Sequence, residues 1–481
     1  MRLSVLAGSA PAGDDPDILG LTADSRAVKP GYLFAALPGV KTDGAQFIRD
    51  AVAKGAVAVL GGDMIRSQVE PIPFLADSNP RKRLAELAAA FYQEQPGTIV
   101  AVTGTNGKTS VASFVRQIWA ALGLQAASFG TVGVVSPHGT TPLSHTTPDP
   151  VEIHRLLAGL KGEGVTHVAF EASSHGLAQY RVDGVKLRAA GFTNLTRDHL
   201  DYHETFDAYR DAKLRLYSEV LPASGFAVIN SDSDEAEAFV AAATSRGQAL
   251  VRVGEAGAEL TLVSRRPVGD GQKLIVEWRG RRFPVALPLA GAFQASNVLV
   301  AAGLVLATGC DPAGTFEALK TLKGAAGRLE KVGVTARRVP VYVDYAHTPD
   351  AIETVLKALR PHTSSRLWVV FGCGGDRDAG KRPLMGTAAA RFADEVIVTD
   401  DNPRTENAAL IREAVLSGVP RAIEIGDRAK AIEHAILSAQ AGDIVVIAGK
   451  GHEAGQIVGR EVLPFNDADE VRGVIARMKK D

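Results

Sequence analysis

Ile99-Val100-Ala101-Val102-Thr103-Gly104-Thr105-Asn106-Gly107-Lys108-Thr109-Ser110 carries an apolar run into a glycine-bearing turn that closes on Lys-Thr-Ser. A strand that ends in such a turn and continues as a helix forms a concavity of backbone N–H groups, which suits nucleotide phosphates. Gly104, Thr105, Asn106, Gly107, Lys108, Thr109 and Ser110 are the candidate cradle. Lys108 supplies a point charge for the outer phosphates and Thr109 a hydroxyl for Mg²⁺. The usual spacing, G-x-x-x-x-G-K-[ST], puts its first glycine at a position held here by Val102, so the loop is a variant. An ordinary strand–turn–helix junction explains the apolar run but gives no reason for Lys-Thr after glycine.

Outward from this loop, the chain alternates apolar strands (Ile99–Val102, His167–Phe170, Phe226–Ile229) with helical periodicity, the pattern of a parallel α/β sheet. Before it, Pro96-Gly97 marks a boundary, preceded by the runs Tyr32–Leu37 and Ala51–Leu60 and a predicted helix over Arg81–Gln93. After Gly324-Ala325-Ala326-Gly327 a second α/β series begins, with strands over Val341–Val343, Trp368–Phe371, Glu395–Val398 and Ile444–Ile447. The fold class is α/β, and the expected domains are 1–96, 97–325 and 326–481, with the glycine-bearing stretch as hinge. With 53 Lys and Arg against 54 Asp and Glu, and 6% aromatic residues, there is no basic stripe with stacking platforms for nucleic acid. Only Cys310 and Cys373 occur, which argues against a disulfide framework and fits a reducing, cytoplasmic setting. No targeting segment and no bilayer-spanning stretch is read, so no membrane insertion is expected.

In open α/β sheets ligands bind at the carboxyl ends of strands. His167–Phe170 runs into Glu171-Ala172-Ser173-Ser174-His175-Gly176, and Glu171 is the first metal candidate, because an acid ending an apolar strand beside a phosphate loop is costly without a cation. The segment Asp198-His199-Leu200-Asp201-Tyr202-His203 is dense in acids and imidazoles, and His199 reads equally as metal ligand or as structural histidine. The following helix puts Phe206, Tyr209, Lys213 and Leu216 on one face. Burial of Lys213 there favours the neutral amine, which can take up CO₂ as a carbamate; spacing alone favours a snorkelling lysine. Three later strands end in Arg377, in Asp401-Asn402-Pro403-Arg404 and in Gly449-Lys450-Gly451-His452-Glu453. Two guanidiniums can clamp a carboxylate while Glu453 and Asn402 take an ammonium, so this cluster suits an amino acid.

These motifs, with Asp24-Ser25-Arg26, His145-Thr146-Thr147-Pro148 and Asp344-Tyr345-Ala346-His347, resemble those of the Mur ligases, ATP-dependent enzymes that build the stem peptide of bacterial cell-wall precursors. The resemblance covers essentially the whole chain, and the variant phosphate loop is part of it. It implies an N-terminal UDP-binding domain, a central P-loop ATPase-like parallel-sheet domain and a C-terminal Rossmann-like doubly wound domain. It implies Ser25 near uridine, Thr146, Thr147, Ser173, Gln179 and Arg181 on the UDP-sugar-peptide, and Asn297, Arg328 and Asp344 near adenosine. It also implies Mg²⁺ at Thr109 and Glu171, with a second ion near His199 and a carbamate on Lys213. Departures centre on Val40-Lys41-Thr42-Asp43-Gly44, which replaces a more polar loop. The implied activity, in a monomer, is ATP-dependent joining of meso-diaminopimelate to UDP-MurNAc-L-Ala-D-Glu, with Arg377, Asp401, Asn402, Pro403, Arg404, Gly449 and Glu453 on the amino acid. Arg404 supports this acceptor, since lysine would leave its guanidinium desolvated and unpaired. Alternatives are a ligase adding L-lysine or L-ornithine, a folyl-polyglutamate type ligase, and a non-catalytic nucleotide-binding paralogue, which would show decay at Lys108, Glu171, His199 or Lys213.

Overall fold

A computed structural model describes residues 1–9, 14–39, 43–69 and 72–478; Val40-Lys41-Thr42 lies outside these described residues. The chain packs into two compact units, one of Met1–Lys108, Trp119–Arg252 and Ala307–Gly309, the other of Thr109–Ile118, Val253–Leu306 and Cys310–Asp481. The expected 325/326 boundary falls inside the second unit.

The first unit opens with a four-stranded parallel sheet, Gly20–Thr22, Tyr32–Ala35, Ala56–Gly61 and Phe74–Ala76, paired in chain order. Ala51–Leu60 resolves into the end of helix Ile48–Ala53 and most of a strand, separated at Lys54-Gly55. Helix Pro80–Tyr92 follows, with Pro at its first turn and the Asn79 side chain accepting from Lys82 N, a standard N-terminal stop signal.

The central strand Thr98–Thr103 lies between His167–Glu171 and Ala189–Phe192, all parallel, with Ala126–Gly130 and Phe226–Asn230 outside them. Ile99 to Val102 are 0% exposed, as expected of a parallel strand covered on both faces. Register sets Glu171 beside Val102 and Phe192 beside Thr103, so three carboxyl ends meet where the glycine turn starts. Helix Phe206–Arg215 is capped by Thr205, and it buries Tyr209 and Lys213. The expected continuation to Tyr217 is instead a π turn, Leu216–Val220, which places Leu216 and Tyr217 in the core. Such turns accompany functional sites more often than chance.

The second unit holds an antiparallel meander, Leu260–Val268, Gly271–Trp278 and Arg281–Leu287, which the sequence reading did not foresee. Its larger sheet runs Glu330–Val334, Pro340–Asp344, Ile444–Ala448, Leu367–Phe371, Glu395–Val398, Ile423–Glu424, parallel except for the first strand. Val343, Val370, Ile397 and Ile447 face one core, while Val369, Phe371, Val398 and Val446 face the other. Each such side chain contributes about 1.5–3 kcal/mol by burial, and charged and amide residues come at or just past the carboxyl ends of the strands, as at Asp344, Asp376, Asp401 and Lys450.

Candidate active site

In the first unit the glycine turn is held open by its neighbours. Gly104 has φ +142°, and a Cβ there would stand 2.0 Å from Thr193 Oγ1, so only glycine fits. Thr193 Oγ1 donates to Asn106 O at 2.6 Å, and Asn106 N donates to Asn194 Oδ1 at 3.1 Å. Thr105 Oγ1 accepts from Thr196 N at 2.9 Å and lies 3.0 Å from the Tyr209 hydroxyl. Lys108 Nζ donates to Gly104 O (2.9 Å) and Thr105 O (2.8 Å), and Lys213 Nζ donates to the same Gly104 O at 2.7 Å. Two lysines thus converge on one carbonyl. Lys213 is 1% exposed, and burial, reinforced by the charge of Lys108, pushes its amine well below the usual lysine range. Its helical face is the one expected from spacing, and here it is not a snorkelling lysine.

Glu171 ends its strand 2% exposed. Its carboxylate accepts from Thr131 N (2.7 Å) and from Thr131 Oγ1 (3.1 Å), a partner contributed forty residues upstream. Thr131 Oγ1 also lies 3.0 Å from Thr146 Oγ1. Thr147 Oγ1 donates to Glu171 O at 2.8 Å and accepts from Ser173 N at 3.0 Å. Arg181 donates to Thr147 O (2.7 Å) and Gln179 Oε1 (2.7 Å), and Gln179 Nε2 donates to the Tyr202 hydroxyl (2.9 Å). Thr146, Thr147, Ser173, Gln179 and Arg181 therefore form one hydrogen-bonded group that reaches Glu171. Ser25 is buried elsewhere in the unit, its carbonyl accepting from Lys54 Nζ at 3.0 Å.

A ring cluster adjoins this group. His175 packs on Tyr202 at 4.1 Å between centroids, meets His199 edge-on at 5.0 Å and His203 at 5.5 Å. His199 sits at φ 52°, Nε2 3.6 Å from Asp198 Oδ2, and half exposed, a left-handed non-glycine residue of the kind concentrated at functional sites. His203 is buried among these rings and titrates at about 4, through burial first and then the neighbouring His175, Lys213 and His199. The sequence does not single out His175, His203 and Thr131 as site residues, and it marks Tyr209 only as a core position; the density of imidazoles from 198 to 203 hints at His203 alone.

Among the described residues no group of three or more His, Cys, Asp or Glu side chains is gathered to hold a metal. Mg²⁺ is held by one or two carboxylates with water and substrate phosphates rather than by a protein cage. Glu171, a buried hard-oxygen donor in register with the start of the glycine turn, meets that requirement.

In the second unit, Thr109 and Ser110 are buried in the first turn of helix Lys108–Ala121. Asp344 accepts from Leu329 N (2.6 Å) and Ala346 N (2.8 Å), and burial pushes its carboxyl up to about 6 against the opposing charge of Arg328. The Arg328 guanidinium lies over the Tyr345 ring at 4.9 Å. Asn297 donates to Gln294 Oε1, which in turn donates through Nε2 to Arg328 O at 3.1 Å, so Asn297, Arg328 and Asp344 share one connected region.

The three adjacent strand ends of the same unit also meet. Arg404, at φ 52°, donates from Nη1 to Gly375 O at 2.8 Å, and its backbone N donates to Ile457 O at 3.0 Å. Pro403 is buried, and Arg377 is exposed on the neighbouring strand end. Asp401 is buried, which pushes its carboxyl up, opposed by Arg428 and Lys450. Asn402 departs from expectation: its Oδ1 accepts from Lys450 Nζ (2.9 Å) and Ile457 N (2.9 Å), and its Nδ2 donates to Glu453 Oε2 (3.0 Å). With both lone pairs used, its side chain has no acceptor left for an ammonium.

The chain matches family models described as "Mur ligase family, catalytic domain" over residues 17–92, "Mur ligase middle domain" over 102–305 and "Mur ligase, glutamate ligase domain" over 327–451. It is similar to a Bradyrhizobium diazoefficiens protein named UDP-N-acetylmuramoyl-L-alanyl-D-glutamate–2,6-diaminopimelate ligase, 54% identical over 99% of both chains. A Caulobacter vibrioides protein of the same name is 55% identical over 96% of both. A solved structure titled with that ligase name superposes with TM-score 0.77 at 35% identity, covering 100% of this chain and 99% of the other. The motif-by-motif likeness, the three model matches and this near full-length identity agree: the chain belongs to the Mur ligase family.

Proposed function

We propose that this chain is the ATP-dependent ligase that joins meso-diaminopimelate to the D-glutamate γ-carboxylate of UDP-MurNAc-L-Ala-D-Glu in peptidoglycan precursor synthesis. The observation that carries the reading is identity above 50% over nearly the full length of relatives named for this reaction, with the Lys108, Glu171, His199 and Lys213 constellation intact.

The γ-carboxylate attacks the terminal phosphorus of ATP, giving an acyl phosphate and ADP. The acceptor amine then attacks the acyl carbon, losing a proton, and the tetrahedral adduct collapses with loss of phosphate. Gly104 to Lys108 receive the phosphates, with Lys108 offsetting charge on the transferred group. Thr109 and Ser110 keep the role their place after Lys108 gives them, and Asn297, Arg328 and Asp344 are assigned to the adenosine side. Bound Mg²⁺ supplies charge neutralisation on the phosphoryl oxygens. Glu171 would hold one ion with Thr109, and His199 with a Lys213 carbamate the second. Lys213 suits that modification: a buried amine with depressed proton affinity adds CO₂ to give R–NH–COO⁻ and a proton. Thr146, Thr147, Ser173, Gln179 and Arg181 orient the UDP-sugar-peptide beside Glu171, with Ser25 towards uridine. Arg404 and Arg377 take the distal carboxylate of the acceptor and Glu453 an ammonium, with Asp401, Asn402, Pro403 and Gly449 shaping the loop. The domain limits 1–96, 97–325 and 326–481, and a monomeric chain, complete the proposal.

Among the described residues no helix is long and apolar enough to cross a membrane. The test is phosphate release with mass detection of product from ATP, Mg²⁺ and UDP-MurNAc-L-Ala-D-Glu, given meso-diaminopimelate, L-lysine or L-ornithine in turn. Turnover confined to meso-diaminopimelate is expected. Turnover with lysine or ornithine instead overturns the acceptor, and none with any of the three overturns the ligase reading.

A further inference from the structure

Lys450 is 0% exposed, and nothing in the reaction outlined above uses it. Its ammonium donates to Asn402 Oδ1 at 2.9 Å and to Glu453 Oε2 at 3.2 Å. Ile457 N occupies the second lone pair of Asn402 Oδ1, so the amide has one orientation open to it, with Nδ2 donating to Glu453 Oε2. Two donors therefore hold one oxygen of Glu453. Among the described residues the other oxygen, Oε1, accepts no hydrogen bond, and the side chain is about one-third exposed (34%).

The backbone is arranged to bring these charges together. Gly449 has φ +118°, and a Cβ there would stand 2.6 Å from Asp401 Oδ2, so glycine lets that buried carboxylate approach the turn carrying Lys450. Arg428, engaged by Asp467 through two bonds of 2.7 Å, and Lys450 both oppose the charge of Asp401, and of these two cations Lys450 is the one that hydrogen-bonds Glu453. Hairpin Gly455–Val458/Glu461–Pro464 fastens the same loop: Gln456 Nε2 donates to Asp401 O (2.7 Å), and Gly459 N to Arg404 O (2.7 Å).

We propose that Lys450 is a positioning residue for the acceptor: it fixes the Asn402 amide and one oxygen of Glu453, and so presents the other oxygen to the amino group of the incoming amino acid. Resting on the acceptor reading above, this predicts that Lys450 acts only through its two partners. Without it, the buried Asn402 oxygen and the part-exposed Glu453 carboxylate each lose a charged donor, Glu453 and Asp401 repel each other with less opposing charge, and one of the two bonds that direct the carboxylate is gone.

The experiment is steady-state kinetics on the full chain for wild type, Lys450→Met, Glu453→Gln and the double variant, with nucleotide affinity of each measured separately. Expected for Lys450→Met is a KM for meso-diaminopimelate raised about 30-fold with ATP affinity within about twofold, the worth of one charge-assisted hydrogen bond. The double variant is expected to be no worse than Glu453→Gln alone, because the lysine works through the glutamate. An unchanged acceptor KM, equal loss of ATP affinity, or additive effects in the double variant overturns the proposal. If Lys450→Met fails to fold, Lys450→Gln, which keeps a neutral donor, decides by the same cycle. Failure of the acceptor reading shows differently, as wild-type turnover with no saturable dependence on meso-diaminopimelate.

Discussion

Lys213 and Lys450 are both buried, at 1% and 0% exposure, yet their surroundings differ in the way that decides what a lysine can do. Lys213 meets a carbonyl that already accepts from Lys108, with a second ammonium nearby and the Tyr209 ring at 4.6 Å. Lys450 meets a carboxylate and an amide oxygen, with Asp401 beyond them. Burial beside a like charge, only partly opposed by Asp198, drives the Lys213 amine toward its neutral, reactive form, whereas burial against a hydrogen-bonded carboxylate makes a positioned charge. On the proposed reading, the first unit uses its buried lysine for chemistry and the second uses its own for shape.

The contrast breaks most visibly if Lys213 proves dispensable. Lys213→Ala should lower turnover at least about a thousandfold, since it removes a charge-placing group from the phosphate loop, with partial recovery on adding short carboxylic acids. Full activity without them would remove the carbamate role. Next in size is Arg404→Ala, expected to raise the KM for meso-diaminopimelate about 100-fold while ATP affinity stays as in wild type, because the groups that lose a partner, the acceptor carboxylate and Gly375 O, both belong to the acceptor loops. Equal loss for both substrates would mean that the left-handed loop had collapsed.

Two smaller effects sharpen the comparison through pH. In CO₂-free buffer the unfolded chain binds a proton at Lys213 that the folded chain resists, so the lysine penalises folding below about pH 10.5, increasingly as pH falls toward its depressed folded value. Lys213→Met should therefore melt higher than wild type at pH 7, by an amount that shrinks as pH rises toward 10; a difference independent of pH would contradict the assigned burial. His203 follows the same sign at lower pH. Its folded value of about 4 lies below the unfolded 6.5, so the chain loses stability from pH 6.5 down to 4. Replacing His203 with Phe should flatten that acid limb in urea titrations, and an unaltered limb would move the titration to another group.

The parts that could be read from sequence are those whose signal is local. The run into Gly104-Thr105-Asn106-Gly107-Lys108 identifies a strand, a turn and a helix start, and the i, i+3, i+7 spacing of Phe206, Tyr209 and Lys213 identifies the buried face. Partners that arrive from distant chain could not be read. Thr131 on Glu171, Tyr209 on Thr105 and His175 against His199 join residues 24 to 104 positions apart, and no short pattern encodes such meetings. Asn402 was misjudged for the same reason: its oxygen is taken by Lys450 and Ile457 from another strand end. The meander did carry a readable signal, the alternating exposure of Arg282-Phe283-Pro284-Val285-Ala286-Leu287, a period of two obscured by Pro284 within the run.

The most direct test of the two-lysine contrast is ¹³C NMR of the full chain equilibrated with ¹³C-bicarbonate, on wild type, Lys213→Met and Lys450→Met. The expected result is a carbamate carbonyl resonance in wild type that vanishes in Lys213→Met and persists in Lys450→Met. A resonance that survives in Lys213→Met, or that Lys450→Met removes instead, would contradict the assignment of chemistry to one buried lysine and shape to the other.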